Sequence, residues 1–297
     1  MQPIIILTII LLMILVFYVF YRTTIKIYFT GNDNKISYSY FIKLIQIVSN
    51  DNYFMNYGLW DKENNTLKKA NENLVNFIFD KLDISEKKNM NILDVGCGYG
   101  EQDLIWSQKM DSSCKIKALD ISEKQIYQAL KNNNNDNVIF DICDANFIDL
   151  KYKNELFDRI ISLESAFHYE DRPKFFKNVN KLLKDDGIFV ITDIILKNSY
   201  KPTFLNSVLL KIASDFLHIP KQNLIKLDEW IEIISSELEI IEMFDITDET
   251  FLPYYKYFMS TYSKNKNLPV FFGKTLEDIF CSIQPFSYVV LKCKKKQ

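Results

Sequence analysis

Glycine and proline are scarce, with seven of each in 297 residues, which excludes collagen-like and glycine-rich linker architectures. The five cysteines are an odd number and include no C-x-x-C pair. A secreted disulfide scaffold and a structural zinc site are therefore both disfavoured, and no metal is expected. Charge of one sign is missing as well. The 36 Lys and Arg against 38 Asp and Glu leave a net charge of −2, without the basic excess of a dedicated nucleic-acid binder. What is present is apolar: 48% of residues are hydrophobic and 25% charged. That suffices to bury a sizeable core and excludes a disordered chain. The length suits one large domain or two small ones.

The apolar residues are unevenly spread. Ile4 to Tyr21 carries no charge and is broken only by Thr8, with Pro3 before it and Arg22 after it. A membrane-spanning helix needs about 20 such residues. Three readings compete: a membrane anchor, a cleaved signal peptide and a buried helix. A signal peptide wants a basic start and small residues at its end, whereas this run starts Met1-Gln2-Pro3 and ends in Tyr18, Phe20 and Tyr21. A buried helix at a chain terminus is seldom apolar on every face. The anchor, over residues 1–21, needs no further assumption. Arg22 and Lys26 follow the run and no basic residue precedes it, so the positive-inside rule puts the bulk of the chain in the cytoplasm, as a single-pass membrane protein. Residues 22–50 form a juxtamembrane segment. Its stretch from Ile36 to Val48 suits either the membrane surface or docking on the folded domain, and residues 51–297 form that domain.

From Asn89 onward, α and β signals alternate. Asn91 to Val95 reads as a short apolar strand, followed at once by Gly96-Cys97-Gly98-Tyr99-Gly100 and a helical stretch from Gln102 to Lys109. Three of the seven glycines fall in those five positions, marking a backbone that bends sharply or approaches a ligand. A second strand, Ile116 to Leu119, ends at Asp120. Glycine loop, helix, strand and a carboxylate about 20 residues on is the dinucleotide-fold layout, with the carboxylate placed for ribose hydroxyls. Glu101 stands where a dinucleotide fingerprint needs glycine, and its charge opposes a pyrophosphate at the helix start. A nucleoside without phosphates fits better.

These motifs resemble the class I S-adenosylmethionine-dependent methyltransferases. The resemblance is carried by Leu93 to Gly100, then Ala118-Leu119-Asp120-Ile121-Ser122 and Cys143-Asp144-Ala145. Phe157 to Ser162 and Leu182 to Val190 follow in family order, and the whole spans Tyr53 to Lys292. It implies a doubly wound, Rossmann-like, mostly parallel seven-stranded α/β sheet with an antiparallel last strand, and S-adenosyl-L-methionine as methyl donor. By the same resemblance Asp94 faces the methionine ammonium, while Gly96, Gly98 and Gly100 admit the cofactor. Asp120 and Ile121 meet the ribose and its surroundings, Asp144 and Ala145 meet the adenine, and the backbone at Ser162 and Leu163 meets the methionine amino group. Phe147 packs either on the adenine or in the core. Asp120 has a competing reading as a helix cap beside Ser122, and Asp141 competes with Asp144.

The stretch Leu163 to Arg172 resembles the subgroup that methylates small natural products, sterols, tocopherols and sugars. Asn56-Tyr57-Gly58-Leu59-Trp60 resembles its N-terminal lid segment, which brings Tyr57 and Trp60 to the cofactor. His168 is one of two histidines. It reads as either a structural residue or the general base that a hydroxyl acceptor benefits from near pH 7. The resemblance implies Asp193 as its orienting partner, against a plain strand-end carboxylate, and His218 reads as loop or lid packing. Residues 199–227 have no place in a minimal fold of this type. They form either a helical cap over the acceptor or a helix covering the sheet edge. The expected protein is a membrane-anchored methyltransferase acting at oxygen on a small-molecule or lipid-like acceptor, with His168 as base. Methylation of an amine or carbon of a lipid or sterol, and a non-catalytic S-adenosylmethionine-binding scaffold, are the alternatives. Neither a nucleic-acid partner nor a motif for protein methylation is evident.

Overall fold

A computed structural model describes residues 53–204, 206, 207, 210, 211, 214, 218–264 and 285–296. The apolar run 1–21 and the segment 22–50 lie outside the described residues. Among the described residues no helix is long and apolar enough to cross a membrane. A compact unit begins at Tyr53.

The centre of the sheet is β1 (Asn91–Val95), paired in parallel with β2 (Lys115–Asp120) on one side and β4 (Phe157–Ser162) on the other. β3 (Val138–Ile142) lies outside β2 and β5 (Leu183–Leu196) outside β4, again in parallel. β7 (Phe286–Lys295) inserts antiparallel between β5 and β6 (Leu238–Asp245). The order β3-β2-β1-β4-β5-β7-β6 is the doubly wound sheet with a reversed final strand expected above. Chain order reverses between β1 and β4, and in such sheets ligands bind beyond the strands' carboxyl ends at that point.

The inner strands β1, β4, β5 and β7 are buried along most of their length, on both faces of the sheet. Neighbouring residues then serve opposite faces. Ile92, Ile161 and Val190 join one core with Leu74, Ile78 and Trp106, whereas Leu93, Ile160 and Phe189 join the other with Phe175, Phe176 and Trp230. Helices cover both faces. α1 (Leu67–Lys81) and α2 (Glu101–Lys109) meet on one side, where the Trp106 indole donates to the Val75 carbonyl at 3.0 Å. α3 (Glu123–Asn132) starts at Ser122, whose hydroxyl accepts from the Gln125 amide. α4 (Ile148–Lys151) is a single turn. α5 (Arg172–Leu182) begins with Asp171 accepting from the Lys174 amide and with Pro173 in its first turn, a matched start signal. α6 (Leu227–Glu237) precedes β6, and α7 (Thr247–Lys264) follows it. Of the segment 199–227, Tyr200 and Ile219 are buried and Leu210 packs on the first core, while Phe204 is exposed.

Candidate functional site

Gly96, Gly98 and Gly100 all have left-handed φ, at 84°, 59° and 76°, a region that costs other residues about 1–2 kcal/mol. Their surroundings differ. A Cβ on Gly100 would strike the Phe140 ring of β3, and one on Gly96 would strike the Ser165 side chain. A Cβ on Gly98 would meet the side chains of Met55 at 3.6 Å and Gln125 at 4.0 Å, both ordinary contacts. Gly96 and Gly100 thus let protein segments close on the loop, and Gly98 is the glycine at which a Cβ would collide with nothing. Its amide donates to Asp120 Oδ2 at 3.1 Å, while the Ser122 amide donates to Asp120 Oδ1 at 2.8 Å. Each oxygen of Asp120 keeps further acceptor capacity. The cap of α3 is Ser122, so Asp120 remains at the strand end beside the glycine loop. Burial pushes its carboxyl up, against the two amides. The next residue, Ile121, is 65% exposed.

Beyond β3, the Asp144 side chain accepts from the Asn146 amide at 2.8 Å and opens the turn Ala145–Phe147. Its competitor Asp141 is exposed and pairs with Lys151. Phe147 is no core residue: it is 48% exposed, with the Lys174 ammonium 4.3 Å from its ring centroid. The loops after β2 and β3 therefore both carry a large apolar side chain open to solvent next to an acidic one. Asp94, on β1, is fully buried. Its Oδ2 accepts from the Gln102 side chain at 3.0 Å, and its Oδ1 has no donor.

After β4 the chain turns sharply. Ser162 Oγ lies 3.0 Å from the Tyr169 hydroxyl, which donates to the Val95 carbonyl at 2.8 Å, so this loop is tied to the end of β1. Leu163 is buried. Glu164 adopts a left-handed φ of 48°, strain of a kind that persists where surrounding structure over-determines a residue. Its amide donates to Thr192 Oγ1 at 2.7 Å, and its Oε1 accepts from the Tyr57 amide at 2.7 Å and the Tyr288 hydroxyl at 2.6 Å. Burial raises the carboxyl to about 8 against those two bonds. Aromatic rings stand close by: Tyr57 meets Phe251 at 5.3 Å and Tyr254 at 4.8 Å, and Phe251 meets Tyr288 at 5.8 Å. Trp60, expected at the cofactor, is instead buried against Leu67, Ala70, Tyr254 and Tyr257, its indole donating to the Tyr57 carbonyl at 2.8 Å. It packs the lid segment onto α1 and α7, and Tyr57 is the lid residue that reaches the β4 loop.

His168 Nδ1 lies 3.1 Å from the His218 carbonyl, and burial lowers its pKa to about 4. The expected pairing of His168 with Asp193 does not form. Asp193 is fully buried, its Oδ2 bonded to Arg172 Nη1 at 2.7 Å and its Oδ1 to the Ile194 amide at 3.0 Å. A buried carboxylate needs a partner held in the same interior, and the guanidinium 21 positions earlier is that partner. Arg172 Nη2 also donates to the Asn223 carbonyl, and the Asn223 side chain donates to the carbonyls of Phe167 and Tyr169 at 2.9 and 2.7 Å. Asp193 thus steadies the loop on either side of His168 without touching the imidazole. Among the described residues no cluster of metal-ligating side chains occurs. The sequence reading assigned no role to Glu164, Tyr254 or Tyr288. Glu164 and Tyr288 lie 124 positions apart and converge only through the antiparallel insertion of β7.

A family model described as a methyltransferase domain matches residues 86–237, just over half of the chain. The erythromycin 3''-O-methyltransferase of Saccharopolyspora erythraea is 35% identical over 144 residues, covering 48% of this chain and 46% of that one. A glycine/sarcosine/dimethylglycine N-methyltransferase of Actinopolyspora halophila is 27% identical over 165 residues, covering 55% and 28%. The alignments thus span less than half of either relative. The geranyl diphosphate C-methyltransferase structure from Streptomyces coelicolor A3(2) superposes with a TM-score of 0.66 at 16% identity, covering 86% of this chain and 97% of that one. At that identity the likeness is one of fold.

Proposed function

We propose, on the premise that the chain belongs to the methyltransferase-domain family, that it transfers a methyl group from S-adenosylmethionine to a small-molecule acceptor. One observation carries this reading. Gly98, where an added Cβ would make only ordinary contacts with the side chains of Met55 and Gln125, and Asp120, with acceptor capacity left on both oxygens, are hydrogen-bonded together at the switch point of the sheet. The residues suit the cofactor. Asp120 accepts from ribose hydroxyls, Asp144 and the Ala145 amide meet the adenine edge, and the exposed Ile121 and Phe147 offer apolar surface to its faces. The unpartnered Oδ1 of Asp94 suits an ammonium group, as does the backbone at Ser162 and Leu163. Bound S-adenosylmethionine supplies a methyl group made electrophilic by its sulfonium.

The protein's part is to hold the acceptor in line and free it of its proton. A carbonyl oxygen only accepts, so the contact with His218 puts the proton of His168 on Nδ1 and the lone pair on Nε2. The low pKa keeps the ring neutral at pH 7, and Nε2 takes the acceptor proton as the hydroxyl attacks. The network of Arg172, Asp193 and Asn223 fixes the loop that carries the ring, and positioning of this kind accounts for much of the rate in a displacement. The relative named as an O-methyltransferase supports transfer to oxygen. A second reading, methylation at nitrogen, is favoured by Glu164 among Tyr57, Phe251, Tyr254 and Tyr288. The Glu164 carboxyl, raised to about 8 and walled by aromatic rings, is matched to take the proton that an amine sheds before its nitrogen attacks. Residues 199–227 act as the cap over either acceptor.

The run 1–21 anchors the protein as a single-pass membrane protein with its catalytic domain on the cytoplasmic side, which raises its encounter rate with a membrane-resident acceptor. The chemical test is an acceptor panel of macrolide glycosides, sterols and small amines with His168→Ala and Glu164→Gln. Loss of kcat for hydroxyl acceptors in the first variant, with cofactor affinity intact, supports the base. Loss confined to the second with amines supports the nitrogen reading. Cofactor binding without turnover on any acceptor moves the protein to the scaffold alternative. The anchor is tested by flotation with vesicles, with and without residues 1–30.

A further inference from the structure

Two carboxyl groups are buried side by side beneath the glycine loop. Asp94 lies on β1 and Asp103 in the first turn of α2, both at 0% exposure. The two side chains are within hydrogen-bonding reach of each other. Gln102 Nε2 donates to Asp94 Oδ2 and to the Cys97 carbonyl, both at 3.0 Å. No donor serves Asp94 Oδ1 or either oxygen of Asp103. Among the described residues no Lys, Arg or His pairs with them. The titratable groups that face the pair are Asp120 at the end of β2, Cys97 in the glycine loop and Tyr169 from the loop after β4, and none is a cation. Two full negative charges in that setting are prohibitively costly.

We propose that Asp94 and Asp103 work as one unit carrying a single proton, held on Asp103, so that the cofactor's ammonium group meets one negative charge, on Asp94. The inference rests on the cofactor reading above and assigns Asp103 as a positioning residue that acts through Asp94. Holding the proton, Asp103 donates to Asp94 and fixes the carboxylate that Gln102 supports from the other side. Burial and the neighbouring Asp94 both push Asp103 well above the usual carboxylate range. Asp94 itself is raised to about 7, chiefly by burial. Cofactor binding to a partly protonated Asp94 therefore releases that proton to solvent, and affinity falls as pH drops below about 7.

The test is calorimetric titration of S-adenosylmethionine into the full-length chain between about pH 5.5 and pH 8.5, for the wild type, Asp103→Asn, Asp103→Ala and Asp94→Asn. Asparagine keeps a donor toward Asp94 and adds no charge, so Asp103→Asn is expected to bind within about threefold of wild type, with the same pH midpoint. Asp103→Ala removes the donor and is expected to bind about tenfold more weakly, a 1.4 kcal/mol change. Asp94→Asn loses the pH limb together with most of the affinity. A tenfold loss in Asp103→Asn at pH 7, or a midpoint displaced by a full pH unit, overturns the proposal, because it means Asp103 is charged. If the wild type binds no cofactor, the cofactor reading fails and the pair is judged by urea unfolding of the ligand-free protein. A carboxyl raised by folding stabilises below its unfolded pKa and loses that contribution as pH climbs through the folded value. Asp103→Asn is then expected to remove one proton's worth of slope between about pH 5 and pH 8. An unchanged slope overturns the pair.

Discussion

The carboxyl edge above β1, β2 and β3 and the edge above β4 and β5 both hold polar groups in an apolar frame, by different means. On the first, Gly98, Asp120, Ser122 and Asp144 act through backbone amides a few residues away or on the neighbouring loop. On the second, Tyr57, Glu164 and Tyr288 come from distant parts of the chain, and Arg172, Asp193 and Asn223 from three separate elements. The first is a local device that any chain with the right short motif builds. The second exists only once the whole sheet has closed. A common cofactor paired with a variable acceptor fits that division.

The largest effect expected on the second edge is from Arg172→Met alone. It strands the buried Asp193 charge, and denaturant unfolding should show a loss of about 3–5 kcal/mol. Should Asp193→Asn abolish turnover while leaving stability untouched, the assignment of Asp193 to structure would be wrong. On the first edge, two glycines separate folding from binding. Gly100→Ala combines a left-handed φ with a collision against Phe140, and a stability loss of about 3 kcal/mol is expected. Gly98→Ala meets only the φ cost of about 1–2 kcal/mol, so its main effect should appear in cofactor affinity.

Much of the first edge was legible in the sequence. Strand β1, the glycine loop and Asp120 fall where the short motif puts them, because left-handed φ values and a strand-end carboxylate are properties of adjacent residues. The antiparallel last strand followed from the resemblance and is seen in β7. The second edge was legible in outline only. Asp193 reads as the orienting partner of His168 or else as a plain strand-end carboxylate, since nothing in its neighbourhood reveals a guanidinium reaching it from the start of α5. Glu164 stood in plain view within the quoted stretch, but its meaning depends on Tyr57 and Tyr288, which no spacing links to it. Trp60 shared a motif with Tyr57 and faces a different neighbourhood.

Smaller effects sharpen the same contrast through pH. Glu164 folds with its carboxyl raised from 4.5 to about 8, so the wild type loses stability as pH climbs through that interval. Glu164→Gln keeps an acceptor for Tyr57 and Tyr288, and at pH 9 it should be more stable than wild type by about 2 kcal/mol. Urea titrations at several pH values check this. His168 is shifted the other way, from 6.5 to about 4. Its contribution is present above the unfolded value and lost as pH falls through the folded one. His168→Asn should therefore flatten the acid limb between pH 6.5 and about 4, by about 1–2 kcal/mol, in thermal or urea unfolding.

The central claim, that the glycine loop and Asp120 hold S-adenosylmethionine, is tested most directly by calorimetric titration of the cofactor and its demethylated product into the full-length protein, with Asp120→Ala alongside. The account predicts saturable binding of both by the wild type, weakened at least about a hundredfold, or 2.7 kcal/mol, in Asp120→Ala at unchanged fold. A folded wild type that binds neither, or an Asp120→Ala protein that binds both as tightly as wild type, would contradict it.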